Sequence, residues 1–258
     1  MKLIAIIPTY NNDATLDEVV RRTLAVCGDV MVVNDGSTDT TACVLEGLQN
    51  EFPQLEVVAY GRNRGKGYAL RRGFERAREM GFEYAVTLDA DGQHYPEDIP
   101  SLIAQVAENE GKRGKCLVVG SRDLSAEGMP GGNSFANRFS NFWFRLQTGI
   151  RLPDTQTGFR LYMLSALPCL GLITRRYESE LELLVFSAWR GVRLVAVPVR
   201  VCYPEARVSH FRPFGDFFRI SVLNTLLCFG ALLYGYPAIL IRKLRLRYDD
   251  DTLRYDDD

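Results

Sequence analysis

The chain reads as an α/β protein, a mostly parallel sheet with helices on both faces, followed by a C-terminal hydrophobic helical segment. Three observations predict this. Short β-branched runs alternate with amphipathic stretches through the first 120 residues. Polar clusters recur directly after the strand-like runs. Ile220–Ile241 is a run of 22 residues without a charge.

Leu3–Pro8 is apolar throughout and reads as a buried first strand. It is too short for a signal peptide, and Thr9-Tyr10-Asn11 follows it where a small-residue cleavage site would stand. Thr15–Val26 carries apolar residues at helical spacing, and Thr15-Leu16-Asp17-Glu18 has the form of a capping box at its start. The same alternation continues through the strand Val30–Asn34, the helix Asp39–Asn50, the strand Leu55–Tyr60 and the helix Gly67–Met80. Tyr84–Asp89 (strand), Glu97–Asn109 (helix) and Cys116–Ser121 (strand) complete it.

Beyond Ser121 the alternation breaks. Ser125–Asn133 is rich in Gly and small residues and reads as a mobile loop. Asn133–Gly149 reads as a helix with the aromatics Phe135, Phe139, Phe142, Trp143 and Phe144. A further helix is expected at Glu178–Arg190 and a strand at Val192–Val201. As a helix, Ile220–Ile241 would be about 33 Å long, enough to cross a bilayer core. Asn224, Gly230, Gly235 and Pro237 interrupt it, and Arg219 on one side and Arg242, Lys243, Arg245 and Arg247 on the other put basic residues at both ends. A broken or interfacial segment resting on anionic headgroups fits this pattern; the alternative is a core helix of a soluble protein.

The 258 residues are 47% apolar, ample for a core. A formal net charge of −1 removes the whole-chain argument for nucleic-acid binding, which wants a basic excess. The average hides polarity: Val201–Arg247 carries a local +5, whereas Tyr248–Asp258, with six Asp and one Arg, carries −5. That tail reads as disordered. Six cysteines without a Cys-x-x-Cys pair, and only two histidines, assemble no zinc site. Most of the cysteines have apolar sequence neighbours and read as buried free thiols.

Four strand ends carry the candidate chemistry: Pro8-Thr9-Tyr10-Asn11-Asn12, Asn34-Asp35-Gly36-Ser37-Thr38-Asp39, Arg62-Asn63-Arg64-Gly65-Lys66-Gly67 and Asp89-Ala90-Asp91-Gly92-Gln93-His94. In parallel sheets ligands bind beyond the carboxyl ends of the strands. Alternate residues leaving a strand point the same way, so Asp89 and Asp91 can meet at one site. Two carboxylates so close repel unless a cation or proton lies between them. A hard divalent ion, Mg²⁺ or Mn²⁺, held by carboxylates and substrate phosphates, is the usual solution. Arg62, Arg64 and Lys66 either bind phosphates or cap and solvate. A dinucleotide-binding dehydrogenase would carry Gly-x-Gly-x-x-Gly after the first strand, where Pro8-Thr9-Tyr10 stands.

These blocks resemble the signatures of family 2 inverting glycosyltransferases of the GT-A fold. Gly120-Ser121-Arg122, Thr157-Gly158-Phe159-Arg160 and Tyr177-Glu178-Ser179-Glu180 are similar to blocks of polyprenyl-phosphate glycosyltransferases such as dolichyl-phosphate mannose synthases. The resemblance implies a GT-A domain over residues 1–218, followed by a membrane-associating segment at 219–247 and the acidic tail at 248–258. It implies a nucleoside diphosphate sugar as donor and a lipid phosphate as acceptor, at the cytoplasmic face of a membrane and with a membrane partner subunit possible. By the same carry-over, Pro8, Tyr10 and Asp35 hold the base and ribose with Lys66 nearby. Asp89 and Asp91 coordinate the metal, with Gln93 beside them, and Arg122 and Arg138 face the acceptor phosphate. His210 and Arg212 stand against the donor diphosphate. A hydroxyl-bearing lipid or glycan acceptor would need a general base, for which Asp154 and Glu180 are the candidates. A nucleotide-sugar-binding protein without catalysis is the non-enzyme alternative, against which the Asp89–Asp91 pair argues.

Overall fold

In the computed structural model, residues 1–110, 115–123, 131–167, 174–202 and 213–244 are described. Seven strands form one sheet: β1 (Leu3–Thr9), β2 (Val30–Asn34), β3 (Glu56–Ala59), β4 (Tyr84–Thr87), β5 (Cys116–Arg122), β6 (Arg160–Met163) and β7 (Arg193–Val199). Their order is β3-β2-β1-β4-β6-β5-β7. All pairings are parallel except those of β6, which runs antiparallel to both β4 and β5. Helices α1 (Asp13–Cys27), α2 (Thr41–Glu51), α3 (Lys66–Glu79), α4 (Ile99–Glu110), α5 (Gly131–Thr148), α6 (Glu178–Trp189) and α7 (Pro213–Gly230) surround it.

A sheet covered on both faces needs strands that are apolar on both, which is why β1 and β2 are near-continuous aliphatic runs. Alternate residues of β1 serve two cores. Ile4 and Ile6 join Phe74, Phe144, Tyr162, Leu184 and Trp189 on the side of α3, α5 and α6. Ala5 and Ile7 join Leu16, Val20, Leu45, Leu102 and Val106 on the side of α1, α2 and α4. Each fully buried Ile or Val there contributes about 1.5–3 kcal/mol relative to exposure.

β6 is the element that periodicity does not reveal. It has four residues, and its first, Arg160, is wholly buried. Its guanidinium donates to the carbonyls of Glu180 (2.8 Å) and Thr155 (2.9 Å), so a charged residue sits inside the sheet by tying three segments together. Because β6 is antiparallel, the loop that precedes it lies at the same edge as the carboxyl ends of β1, β2 and β4. Arg160 pairs with Thr87 in the ladder.

Two local expectations fail. The capping box does not form: α1 starts at Asp13 after Asn12, with no side-chain cap, and the Thr15 hydroxyl donates instead to Ala90 O at 2.6 Å. The helix begins two residues before Thr15, whose own N–H already bonds to Asn12 O, so Thr15 sits inside the first turn and not at its cap. The cysteines are not mostly buried. Of the five described, Cys116 is buried, Cys27 and Cys228 are half-buried, and Cys43 and Cys202 are exposed, all as free thiols. Apolar neighbours in sequence do not imply burial on a helix, where successive residues face different ways. Residues 124–130, Cys169 and the tail at 248–258 lie outside the described residues.

α7 is continued by a π-helical turn, Ala231–Gly235, and a further helical stretch at 236–244. The π turn ends two residues before Pro237, which has no N–H to give the carbonyl four residues back, Leu233 O within that turn; a wider turn accommodates the missing bond. Leu223, Asn224, Leu227, Ala231 and Gly235 form the inward stripe against the domain. The outward stripe is Phe218, Val222, Leu226, Phe229, Leu233, Leu240 and Leu244, all exposed.

Candidate active site

The first two strand-end loops are laced together. Asn11 adopts a left-handed backbone (φ 52°), which Asn tolerates better than most residues. Its N–H reaches Ser37 Oγ (3.0 Å), and its Oδ1 accepts from Thr38 N (2.8 Å). Pro8 is buried within β1, and Tyr10 is half-buried one residue past that strand.

Asp35 joins the second loop to the third. It is buried, and its two carboxylate oxygens accept from Arg64 N and Gly65 N, both at 2.7 Å. Gly65, at φ +99°, has no room for a Cβ against Arg175 O. This clamp fixes the start of α3, whose first residue is Lys66. The Lys66 ammonium lies between two carboxylates, Asp89 Oδ1 at 2.6 Å and Glu180 Oε2 at 2.8 Å. Burial opposes its charge, but the two acids outweigh that and hold it protonated well above the ordinary lysine range. The clamp and the ion pair thus connect Asp35 to Asp89.

Burial raises the Asp89 carboxyl, but Lys66, with His94 and Arg122 behind it, brings it below the usual range. Asp91 moves the opposite way, pushed up by burial and by the charge of Asp89. Gln93 holds Asp91 through its N–H (3.1 Å) and its side-chain amide (2.6 Å). His94 is buried against Phe159, their rings 5.3 Å apart. Its Nδ1 accepts from Asp89 N at 3.2 Å, and burial brings the imidazole below its ordinary range against the pull of Asp89 and Asp91.

Gly158 covers the ion pair. A Cβ there would come within 2.7 and 2.9 Å of the Asp89 oxygens and 2.9 Å of Lys66 Nζ. Its carbonyl accepts from Thr87 Oγ1 at 2.7 Å. Sequence reading singled out the Thr157-Gly158-Phe159-Arg160 block without giving Gly158 or Arg160 a task; only the antiparallel β6 explains both.

Arg122, at the end of β5, reaches the wholly buried Asp154 through Nε (2.6 Å) and Nη2 (3.0 Å). Asn137 Nδ2 (2.5 Å) and Gln156 N (3.1 Å) donate to the same carboxylate. Burial would raise Asp154, but Arg122 holds it below the ordinary carboxylate range. Arg138 is exposed on α5, next to Asn137. Glu180 is buried in the first turn of α6, and its Oε1 has no hydrogen-bond partner among the described residues. His210 and Arg212 lie outside the described residues.

Among the described residues no three His, Cys, Asp or Glu side chains form a metal-binding group. Asp89 and Asp91 supply hard oxygen ligands, and the mutual repulsion that raises Asp91 is what a cation would relieve. Such a two-carboxylate set suits Mg²⁺ or Mn²⁺, which keep water and substrate phosphates in their coordination shell.

Residues 4–171 match the family described as Glycosyl transferase family 2. The UDP-N-acetylglucosamine–dolichyl-phosphate N-acetylglucosaminyltransferase of Methanococcus voltae is 32% identical over 218 residues, covering 78% of this chain and 85% of the relative. The undecaprenyl-phosphate mannosyltransferase of Micrococcus luteus is 30% identical over 232 residues, covering 87% and 92%. In fold, the chain resembles a mannosyltransferase from Pyrobaculum calidifontis solved with GDP-Man and Mn²⁺, with a TM-score of 0.54 at 16% identity over 98% of this chain and 80% of that one.

Proposed function

The chain belongs to glycosyl transferase family 2, and from that premise we propose that it transfers a sugar from a nucleoside diphosphate sugar to a polyprenyl phosphate, with inversion at the anomeric carbon. The observation that carries this reading is the Asp35–Lys66–Asp89 connection, which gathers three strand-end loops around one pair of acids. The two relatives bear different sugars in their names but share a polyprenyl phosphate acceptor, so the acceptor class is better supported than the sugar.

Asp89 and Asp91 would hold Mg²⁺ or Mn²⁺, with Gln93 keeping Asp91 in place. When bound, the ion supplies Lewis-acid stabilisation of the charge that builds on the departing nucleotide. Pro8, Tyr10 and Asp35 line the base and ribose side, Asp35 acting through the Arg64–Gly65 backbone it holds. Lys66, His210 and Arg212 supply positive charge to the diphosphate, and preorganised charges of this kind act without reorganisation cost. Arg122 and Arg138 face the acceptor phosphate. Asp154 orients Arg122 rather than acting as a base, because five donors occupy it, three of them from Arg122, and its carboxyl is held below the usual range.

That assignment favours a phosphate acceptor. A phosphate oxygen is anionic near neutral pH and needs no strong base, whereas a hydroxyl does; of the two candidate bases, only Glu180 keeps an oxygen without a donor. Transfer to purified polyprenyl phosphate, set against hydroxyl-bearing lipids and run with and without Mn²⁺, tests this. Transfer only to the hydroxyl lipids overturns the acceptor, and metal-independent transfer overturns the role of the acids. Melting-temperature shifts with UDP- and GDP-sugars in Mn²⁺ identify the donor.

The outward apolar stripe on residues 218–244 attaches the domain to the lipid surface. The inward stripe is packed on α5 and α6 along most of its length. Gln147 Nε2 donates to Asn224 Oδ1 (2.9 Å), Tyr236 OH to Leu146 O, and Arg242 Nη2 to Trp189 O (2.8 Å). These contacts to α5 and α6 favour a helix that stays against the domain over one that crosses the bilayer apart from it. It lies in the interface, with its basic ends on anionic headgroups and the catalytic edge on the cytoplasmic side.

A further inference from the structure

We infer that Lys66 is a built-in counter-ion that competes with a divalent cation for Asp89, and that Glu180 is the positioning residue that receives the ammonium when Asp89 takes the metal. The inference rests on the metal reading above and assigns that site an internal gate.

One ammonium lies between two carboxylates from different elements. Lys66 opens α3, Asp89 follows β4, and Glu180 is in the first turn of α6. With Lys66 2.6 Å from Asp89 Oδ1, a ligand oxygen that a cation needs is already taken. Like charges repel, so an ion entering there must displace the ammonium by a short distance or tolerate it as a neighbour. Glu180 offers the place to go. One of its oxygens already touches Lys66 at 2.8 Å, and the other is buried with no hydrogen-bond partner among the described residues. An ammonium has three donors and no acceptor, so moving toward Glu180 lets it satisfy both oxygens of one carboxylate.

The surroundings permit that movement and little else. Gly158 closes the space above Asp89 and Lys66. The Asp35 clamp on Arg64 and Gly65 fixes the backbone from which Lys66 projects.

Mn²⁺ binding to the full chain without nucleotide, followed by the electron paramagnetic resonance of free Mn²⁺, tests this. Lys66→Met is expected to bind Mn²⁺ about tenfold more tightly than the parent chain. Glu180→Gln is expected to bind it at least threefold more weakly. The double variant should bind as Lys66→Met does, within about twofold, because Glu180 acts through the lysine. If Lys66→Met is no tighter, or if Glu180→Gln costs the same affinity in both backgrounds, the inference is overturned. Glu180→Asp, which keeps the charge and shortens the reach, provides the comparison should Glu180→Gln not fold. Asp91→Asn separates this from the underlying reading. If that variant binds Mn²⁺ as the parent does, or the parent binds none, the metal site itself is wrong and the gate falls with it. If Asp91→Asn alone abolishes binding and Lys66→Met changes nothing, only the gate fails.

Discussion

Asp35 and Asp91 both follow strands, yet their carboxylates answer different demands. Asp35 accepts two backbone N–H groups and serves as a brace. Asp91 is raised by burial and by Asp89, so in the folded chain its charge is unfavourable at neutral pH. Asp91→Asn should therefore lose at least about a hundredfold in turnover while melting no lower than the parent. Calorimetry beside a transfer assay checks both, and a lowered melting point would show that Asp91 is structural. Asp154 behaves in the opposite sense. Its lowered carboxyl contributes stability that is complete above the unfolded-state value near ~3.9 and is lost as pH falls through the folded value. Asp154→Asn should cost about 3–5 kcal/mol by breaking the buried ion pair with Arg122, and denaturant unfolding between pH 7 and 3 should show the difference shrinking at the acid end.

Among the elements, α7 and its π turn depend on one aromatic side chain. Trp189 donates Nε1–H to Gln147 O at 2.8 Å, and its ring leaves no room for a side chain at Gly235. Gly235→Val should lower stability by about 1–3 kcal/mol and shift Trp189 emission to the red as the helix lifts away; an unchanged spectrum would mean that the helix is not docked there. The glycines and Pro237 that interrupt the apolar run in sequence are thus contact points and the cause of a local turn. Thr15 carries the reverse lesson. Its sequence context promises a cap, but the structure ties it to Ala90, between the two acids.

Taken as a whole, the molecule is polarised. The polar strand ends collect at one edge, and the outward face of residues 218–244 is an apolar stripe with Arg219 at its start and Arg242 and Lys243 near its end. Binding to vesicles containing anionic lipid should be strong at low salt and weaken as ionic strength rises. Replacing Leu226, Leu233 and Leu240 with Ser should lower vesicle binding at least tenfold, because each exposed side chain contributes about 1.5–3 kcal/mol when buried in lipid. Solution folding, followed by circular dichroism, should not change. Vesicle flotation that is equal for parent and variant would remove the attachment surface from this stripe.

Strand–helix alternation, the polar strand ends, the Asp89–Asp91 spacing and the apolar C-terminal run are all local patterns, and the periods of helix and strand write them directly into the sequence. That is why the order of elements up to β5, and the family, could be read without coordinates. The antiparallel β6, the roof at Gly158, the sharing of Lys66 between Asp89 and Glu180, and the filled state of Asp154 join residues 23 to 114 positions apart. Such contacts are set by which chain segments the sheet brings together. A four-residue strand headed by an arginine has no periodicity to betray it, and only the tertiary structure supplies the carbonyls that make a buried guanidinium tolerable.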